Sequence, residues 1–382
     1  MIKPSHRLDQ VKEYYFSAKL KEVKQLIAEG QPIIPMGIGS PDLPPHPAII
    51  KALQLAAANE NAHGYQPYQG SPELRLAMAK FYAEHYGVNL GPSEILPLMG
   101  SKEGIMHISM AFLNPGDQVL VPDPGYPTYA AVAHLVHADP VPYKLMEENN
   151  WQPDFNSLEA LDLSKIKIMW TNYPHMPTGA KAGQNLFQNL VNFGQKHGIL
   201  IVHDNPYSFI LNDKPESILA IQGAQKVALE LNSLSKTFNI PGWRVGMVAG
   251  SKENLNTILQ VKSNMDSGMF SGIQAGAIAA LELSNSWLEE TNQHYATRRT
   301  LIWQLVDTLG LTCEKNAAGM FVWAKLPGNT DAYKYADWLL YDKKIFITPG
   351  SIFGPMGENY IRFSLCIEEN QILEAIKRVK ST

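Results

Sequence analysis

A near-continuous apolar segment places the strongest constraint on the fold of this chain. It is Gly198-Ile-Leu-Ile-Val-His-Asp-Asn-Pro-Tyr207, and a strand without hydrophobic alternation is typical of a parallel sheet that is buried on both faces. Strands alternate with helices from about residue 90 to 250, which predicts an α/β fold with a mostly parallel central sheet flanked by helices. Ligands bind beyond the carboxyl ends of such strands, so Asp204 is a candidate site residue.

The composition excludes several classes of protein. A chain of 382 residues with 45% hydrophobic and 18% charged residues can form two domains and a large core. A net charge of -4 without a Lys/Arg run argues against nucleic-acid binding. We find no apolar run of about 18 residues and expect no membrane span. Two cysteines, Cys313 and Cys366, are too few for a disulfide framework, so we expect a cytoplasmic protein.

The most informative polar segment surrounds Lys236, between two predicted strands. Ser233 and Ser235 precede this lysine, and Arg244 follows it. Desolvation and a nearby arginine lower the pKa of a lysine, and a neutral amine condenses with carbonyls, so Lys236 is a candidate Schiff-base lysine. The hydroxyls and the guanidinium suit a phosphate. Together they indicate pyridoxal 5'-phosphate (PLP), an aldehyde that carries a phosphate; the alternative is a solvated lysine in a Ser-rich loop.

The segment Ser233-Leu-Ser-Lys-Thr-Phe238, followed by Gly242-Trp-Arg-Val-Gly246, resembles the lysine signature of class I/II PLP-dependent aminotransferases of fold type I. The resemblance covers essentially the whole chain and is greatest to the branch of LL-diaminopimelate, alanine and methionine aminotransferases. It implies a large PLP-binding domain over residues 46–285. It also implies a smaller α+β domain built from both chain ends, residues 1–45 and 286–382.

The resemblance implies how the cofactor ring would be held. Asp204 would pair with the protonated pyridine nitrogen and keep the ring an electron sink. Tyr207 would donate to the phenolic oxygen, and Tyr126 would stack on the ring.

The resemblance also places the cofactor phosphate. Ser101 and the backbone of Lys102 lie at a predicted helix start, where free N–H groups attract an anion. Ser233, Ser235 and Arg244 would complete this end of the site. Tyr65 would reach the phosphate from the partner subunit, which implies a homodimer with shared active sites.

For the substrates, an amino acid and a 2-oxo acid, the resemblance implies a second set of residues. Arg362 would clamp the α-carboxylate, a task that suits the planar guanidinium. The backbone of Gly39 would meet the same carboxylate, and Tyr15 would reach the substrate. Related aspartate-specific enzymes carry an arginine in the loop that corresponds to residues 264–274; this loop has none, which disfavours a dicarboxylate recognised in that way.

One position departs from the family pattern. The end of the stretch 166–179 matches the family's Asn-Pro-x-Asn-Pro-Thr-Gly segment, but Met176 occupies the place of the asparagine before Pro-Thr-Gly, which in the family donates to the phenolic oxygen. Asn172 is not the matching residue. The change removes a contact worth about 1.5–3 kcal/mol, so we predict an altered pKa of the bound cofactor.

Helical periodicity predicts helices over 12–29, 46–60, 251–262, 285–309 and 368–380. A further strand is predicted near 136–143. Arg298 and Arg299 lie on the predicted helix 285–309, where we expect them at the solvated surface.

The leading hypothesis is an aminotransferase in which Lys236 holds PLP, moves the substrate α-proton as base and then acid, and works by a ping-pong mechanism. Two alternatives stay open: a PLP-dependent C–S (β) lyase on the same fold, and a non-catalytic PLP-binding protein. No metal site is expected.

Overall fold

The computed structural model describes residues 2–9, 11, 15–183 and 185–381, without the side chains of residues 15–17. Within these residues the helices are α1 (Tyr15–Ala28), α2 (Pro47–Ala57), α3 (Pro72–Tyr86), α4 (Ser101–Phe112), α5 (Thr128–Leu135), α6 (Phe155–Glu159), α7 (Leu186–His197), α8 (Leu234–Thr237), α9 (Lys252–Lys262), α10 (Ser271–Leu281), α11 (Asn285–Thr308), α12 (Ala332–Tyr341) and α13 (Glu369–Lys380). The strands are β1 (Ile34–Pro35), β2 (Ile95–Leu98), β3 (Gln118–Asp123), β4 (Asp139–Lys144), β5 (Ile166–Thr171), β6 (Leu200–Asp204), β7 (Ala228–Ser233), β8 (Gly246–Gly250), β9 (Thr312–Cys313), β10 (Phe321–Lys325), β11 (Ile345–Phe346), β12 (Thr348–Pro349) and β13 (Tyr360–Ser364).

The central sheet has seven strands in the order β2-β8-β7-β6-β5-β3-β4. Strand β8 runs antiparallel to both of its neighbours, and the other pairs in the sheet are parallel. The predicted mostly parallel α/β sheet is therefore confirmed.

Both faces of this sheet are covered. On β6, Ile201 belongs to one hydrophobic cluster and its neighbour Val202 to the other, and both side chains are fully buried. Successive side chains of a strand point to opposite faces, so burial of both explains the uninterrupted apolar segment in the sequence.

The parallel strands β5, β6 and β7 end at the same edge of the sheet. Thr171 pairs with His203, and Asp204 pairs with Leu231 two residues before Ser233. The segments that follow these strands, including the one that carries Lys236, therefore start side by side. Lys236 itself lies in the short helix α8, whereas the sequence suggested a loop.

A smaller antiparallel sheet has the order β12-β13-β10-β9. Near it, β1 pairs in parallel with β11, which joins the two ends of the chain. The predicted bounds 46–285 for the large domain, with 1–45 and 286–382 for the small one, stay a prediction. No helix among the described residues is long and apolar enough to cross a membrane.

Some predicted boundaries were wrong. The helix predicted over 46–60 ends at Ala57, because the Asn59 side chain accepts from the backbone of Asn61 and starts a separate turn. The strand predicted near 136–143 begins at Asp139, after a turn in which His137 has a positive φ of 62°. Of the helix predicted over 12–29, residues 12–14 lie outside the described part of the chain.

The prediction that Arg298 lies at the solvated surface was also wrong. Its side chain is only 4% exposed, and its Nη1 donates to Asp42 Oδ1 at 2.8 Å and to the Leu365 carbonyl at 3.1 Å. This buried arginine ties α11 to two distant segments. Arg299, beside it, is half-buried and donates to the Ala317 carbonyl.

Candidate active site

A cavity of about 560 Å³ lies at the carboxyl ends of the parallel strands and is lined from both sheets. It brings together eleven of the site residues predicted from the sequence. They are Gly39, Ser101, Lys102, Tyr126, Asp204, Tyr207, Ser233, Ser235, Lys236, Arg244 and Arg362.

Lys236 projects into this cavity from α8. The Ser233 hydroxyl caps the helix by accepting from the Ser235 backbone at 3.2 Å, and Lys236 Nζ donates to the Gly39 carbonyl at 2.8 Å. Partial burial lowers the pKa of Lys236, and the positive charges of Arg362 and Arg244 lower it further, while Cys366 acts in the opposite direction. The direction of shift predicted from the sequence is confirmed, and it favours the neutral amine.

Asp204 ends β6 at the floor of the cavity. Its Oδ2 accepts from the Tyr129 hydroxyl at 2.8 Å, whereas its buried Oδ1 has no hydrogen-bond partner among the residues that the structure describes. Burial raises the pKa of Asp204 to about 6, although the Tyr129 bond and the charge of His203 oppose this shift. A buried carboxylate oxygen without a partner suits a positively charged N–H group, such as a protonated pyridine nitrogen.

The opposite end of the cavity is built for an anion. Helix α4 begins at Ser101 directly after Gly100, which has a φ of 85°. A Cβ at Gly100 would overlap the Arg244 guanidinium, and a Cβ at Gly246 would lie 2.7 Å from the Ser101 backbone nitrogen. The two glycines thus let an arginine and a helix N-terminus approach each other, an arrangement that favours a phosphate.

Arg362 is held in the wall on β13. Its guanidinium carbon lies 3.9 Å from the centroid of the Phe321 ring and 4.8 Å from that of Phe353. Its Nη2 donates to the Gly37 carbonyl at 3.3 Å, and its Nη1 lies 3.3 Å from the Met176 sulfur. Cation–π contacts with these two rings fix the orientation of the Arg362 guanidinium, which the resemblance predicts to bind a substrate carboxylate.

Met176 lies in the cavity, where the family pattern has an asparagine. It is buried, and its backbone N–H donates to Asn172 Oδ1 at 2.7 Å. The Asn172 amide donates in turn to the Asp204 backbone carbonyl. Asn172 also lines the cavity, but its side-chain oxygen and nitrogen are hydrogen-bonded to the backbone of Met176 and Asp204.

The structure leaves the predicted roles of Tyr65 and Tyr15 untested. Tyr65 is 93% exposed and is absent from the cavity lining. The side chain of Tyr15 lies outside the described part of the structure. Both roles stay predictions.

Sequence reasoning missed other lining residues. Tyr129 lies in the first turn of α5, three residues after Tyr126, and the two rings meet edge-on at 5.6 Å. Its nearness in the sequence to Tyr126 was the available signal. Phe321 and Phe353 showed no such signal, because Phe321 reaches Arg362 through the pairing of β10 with β13 and Phe353 reaches it from the turn after β12.

Comparison with known proteins agrees with this geometry. Residues 31–379 match the family model described as aminotransferase class I and II. The chain is 39% identical over 381 residues to an LL-diaminopimelate aminotransferase of Dehalococcoides mccartyi, covering 99% of this chain and 98% of the relative. It is 37% identical over 384 residues to that of Aquifex aeolicus, covering 100% and 99%. A solved structure of substrate-bound BacF from Bacillus subtilis superposes with a TM-score of 0.94 at 35% identity, covering 100% and 97%.

The chain belongs to the class I and II aminotransferase family, as the resemblance in its sequence implied. It is an enzyme that transfers amino groups, and its fold is that of the fold type I aminotransferases. Members of this family use PLP, and their substrates are amino acids and 2-oxo acids.

Proposed function

We propose that this aminotransferase holds PLP on Lys236 and moves an amino group between an L-amino acid and a 2-oxo acid by a ping-pong mechanism. The observation that carries this proposal is the convergence of a lysine of lowered pKa and a buried Asp204 oxygen without a partner in one cavity. When bound, PLP supplies an electron sink for the carbanion formed at the substrate Cα.

The residues present fit this cofactor. Asp204 Oδ1 would accept from the ring nitrogen, and Tyr207 would donate to the phenolic oxygen. Tyr126 would stack on the ring. The phosphate would lie at the α4 N-terminus, with Ser101 and the backbone of Lys102. Its remaining contacts would come from Ser233, Ser235 and Arg244.

Lys236 would carry the proton. Its lowered pKa keeps Nζ neutral at a pH where an ordinary lysine is charged, so it can take the proton from the substrate Cα and return it as an acid. Gly39, whose carbonyl accepts from Nζ, fixes the direction of this amine.

Arg362 would orient the substrate. Its guanidinium would bind the α-carboxylate in bidentate fashion, and the backbone of Gly39 would assist. Binding at this point places the substrate Cα between Arg362 and Lys236, where proton transfer takes place. Tyr15 would contact the substrate from the start of α1.

We also propose a homodimer. The segment that carries Tyr65 packs on the loop before α10, since Ser271 Oγ donates to the Ala62 carbonyl at 2.7 Å and the His63 and Phe270 rings stack at 6.0 Å. Large apolar side chains are also exposed on the preceding helix α2, such as Leu55 at 66%. Exposed apolar surface of this kind is typical of an interface, from which Tyr65 would reach the partner's cofactor. Two free cysteines favour a cytoplasmic location.

Borohydride trapping tests the proposal. We expect reduction of the PLP-loaded protein to fix the cofactor on the peptide that contains Lys236, with no adduct there in Lys236→Arg. An adduct on Lys102 instead would overturn the assignment. Release of pyruvate from cystathionine without an oxo acid acceptor would favour the lyase alternative. LL-diaminopimelate, which appears in the names of the relatives, should be among the first amino donors tested.

A further inference from the structure

The charged residues that line the cavity limit the kind of substrate side chain that it can bind. The charged residues of the described lining are Lys102, Asp204, Lys236, Arg244 and Arg362. Under the proposed function, which this inference assumes, four of them serve the cofactor or the substrate's amino acid group. Lys102 contributes its backbone to the phosphate, and its exposed side chain belongs to the phosphate end of the cavity, where α4 begins. Among the described lining residues none of the other four remains for a charge on the substrate side chain, and burying an unpaired charge is strongly unfavourable.

The segment Gly37–Gly39 shows where that side chain would lie. The Gly37 carbonyl accepts from Arg362 Nη2 at 3.3 Å, and the Gly39 carbonyl accepts from Lys236 Nζ at 2.8 Å. A substrate with its carboxylate at Arg362 and its amine at Lys236 therefore has its Cα beside the intervening residue, Ile38, which lines the cavity.

The wall around Ile38 is apolar. Leu20 of α1 lines the cavity and packs with Ile38 against the same hydrophobic cluster. Phe321 and Phe353 complete this side, and the Tyr207 ring meets Phe321 edge-on at 5.7 Å. Such a wall stabilises a bound group by apolar contact and by aromatic pairing.

We propose that the cavity beside Ile38 accepts an uncharged, apolar side chain, and that aromatic L-amino acids are the preferred donors. The relatives' names point instead to a donor whose distal end carries an ammonium and a carboxylate. Among the described lining residues that distal end finds no opposite charge that is not already engaged. The two assignments predict opposite rankings of donors.

Binding to the PLP-loaded protein tests this without turnover. Isothermal titration with 3-phenylpropanoate and with 6-aminohexanoate compares an aromatic and a cationic tail on the same kind of carboxylate. We expect the aromatic acid to bind at least about tenfold more tightly, a difference of about 1.4 kcal/mol. Equal or reversed affinities would overturn the inference.

A charge introduced at residue 38 gives the second test. In Ile38→Asp we expect the ratio of kcat/KM for phenylalanine over lysine to fall at least about tenfold. In the control Ile38→Asn, whose side chain is the uncharged isostere of aspartate, we expect kcat/KM to change by the same factor for both donors. Leu20→Glu against Leu20→Gln repeats the comparison on α1 should the first variant fail to fold. An unchanged ratio in both acidic variants would contradict the inference.

The outcomes separate this inference from the proposed function. If the wild-type protein prefers LL-diaminopimelate or lysine to phenylalanine, the inference is wrong and the proposed function stands. If no donor yields an oxo acid and borohydride fixes nothing on Lys236, the proposed function is wrong, and the inference that assumes it is wrong as well.

Discussion

Tyr129 donates its hydroxyl proton to Oδ2 of Asp204 across 2.8 Å at the floor of the cavity. The tyrosine is itself fixed, because its ring stacks on Trp170 at 4.9 Å with an interplanar angle of 5°. The bond satisfies one carboxylate oxygen and leaves Oδ1 to face a ligand. Tyr129 thus acts as a positioning residue for Asp204.

This arrangement predicts that the folding stability of the protein without PLP decreases as the pH rises. Burial raises the pKa of Asp204 from 3.8 to about 6, so the folded state holds the proton more tightly than the unfolded state. Stability from this group is therefore greatest below pH 4 and falls by about 3 kcal/mol as the pH rises through 6. We expect the difference in unfolding free energy between Asp204→Asn and wild type to shift by that amount in favour of the variant between pH 4 and 7.5, measured by urea denaturation.

Tyr129→Phe is the matched variant for this prediction. The Tyr129 bond lowers the pKa of Asp204, so its removal raises that pKa further and extends the loss of stability to higher pH. The same denaturation series measures it. A pH profile that is identical in wild type and Asp204→Asn would show that Asp204 carries no raised pKa.

Met176 is expected to set the titration of the bound cofactor. Met176→Asn supplies a donor that stabilises an anionic oxygen, worth about 1.5–3 kcal/mol. We therefore expect the pH midpoint of the visible absorbance of the loaded protein to fall by about 1–2 units. Met176→Leu keeps an apolar side chain and is the control, with no large shift. An unmoved midpoint in Met176→Asn would mean that residue 176 does not contact the cofactor.

A buried carboxylate on strand β7, beside His203 of β6, stabilises the floor of the site. Glu230 is fully buried and accepts from the Tyr82 hydroxyl, the Ser217 hydroxyl and the Ile218 backbone, and its Oε2 lies 2.9 Å from His203 Nδ1. Glu230→Ala leaves these partners unsatisfied, so we expect a loss of about 3–5 kcal/mol in unfolding free energy.

Two variants control the Glu230 measurement. Glu230→Gln keeps an acceptor for the Ile218 N–H and should recover part of the loss. Glu290→Ala, at an exposed position of α11, should change stability by less than about 0.5 kcal/mol. Equal losses at the buried and exposed positions would show that the network contributes nothing specific.

The sequence predicted those features that depend on local pattern. The apolar run at Ile201 and Val202 indicated a doubly buried strand, and the residues around Lys236 indicated a cofactor lysine whose lowered pKa the structure bears out in direction. Local spacing carries this information because both depend on neighbours in the chain.

Features that depend on distant pairing could not be predicted. The neighbours of Arg298 in its helix gave no sign that it is buried. Its ion-pair partner, Asp42, lies 256 residues away in the chain. Phe321 meets Arg362 only because β10 pairs with β13. Helical periodicity and residue type do not specify such contacts, so the apolar wall beside Ile38 emerged only from the structure.

The role of Lys236 can be measured in a single half-reaction of the PLP-loaded protein with an amino donor in the absence of any oxo acid. We predict that each subunit releases one 2-oxo acid, that the visible absorbance disappears, and that a second oxo acid restores it. Lys236→Ala should lose at least about 10³-fold in the rate of this step. Full turnover by Lys236→Ala would contradict the account.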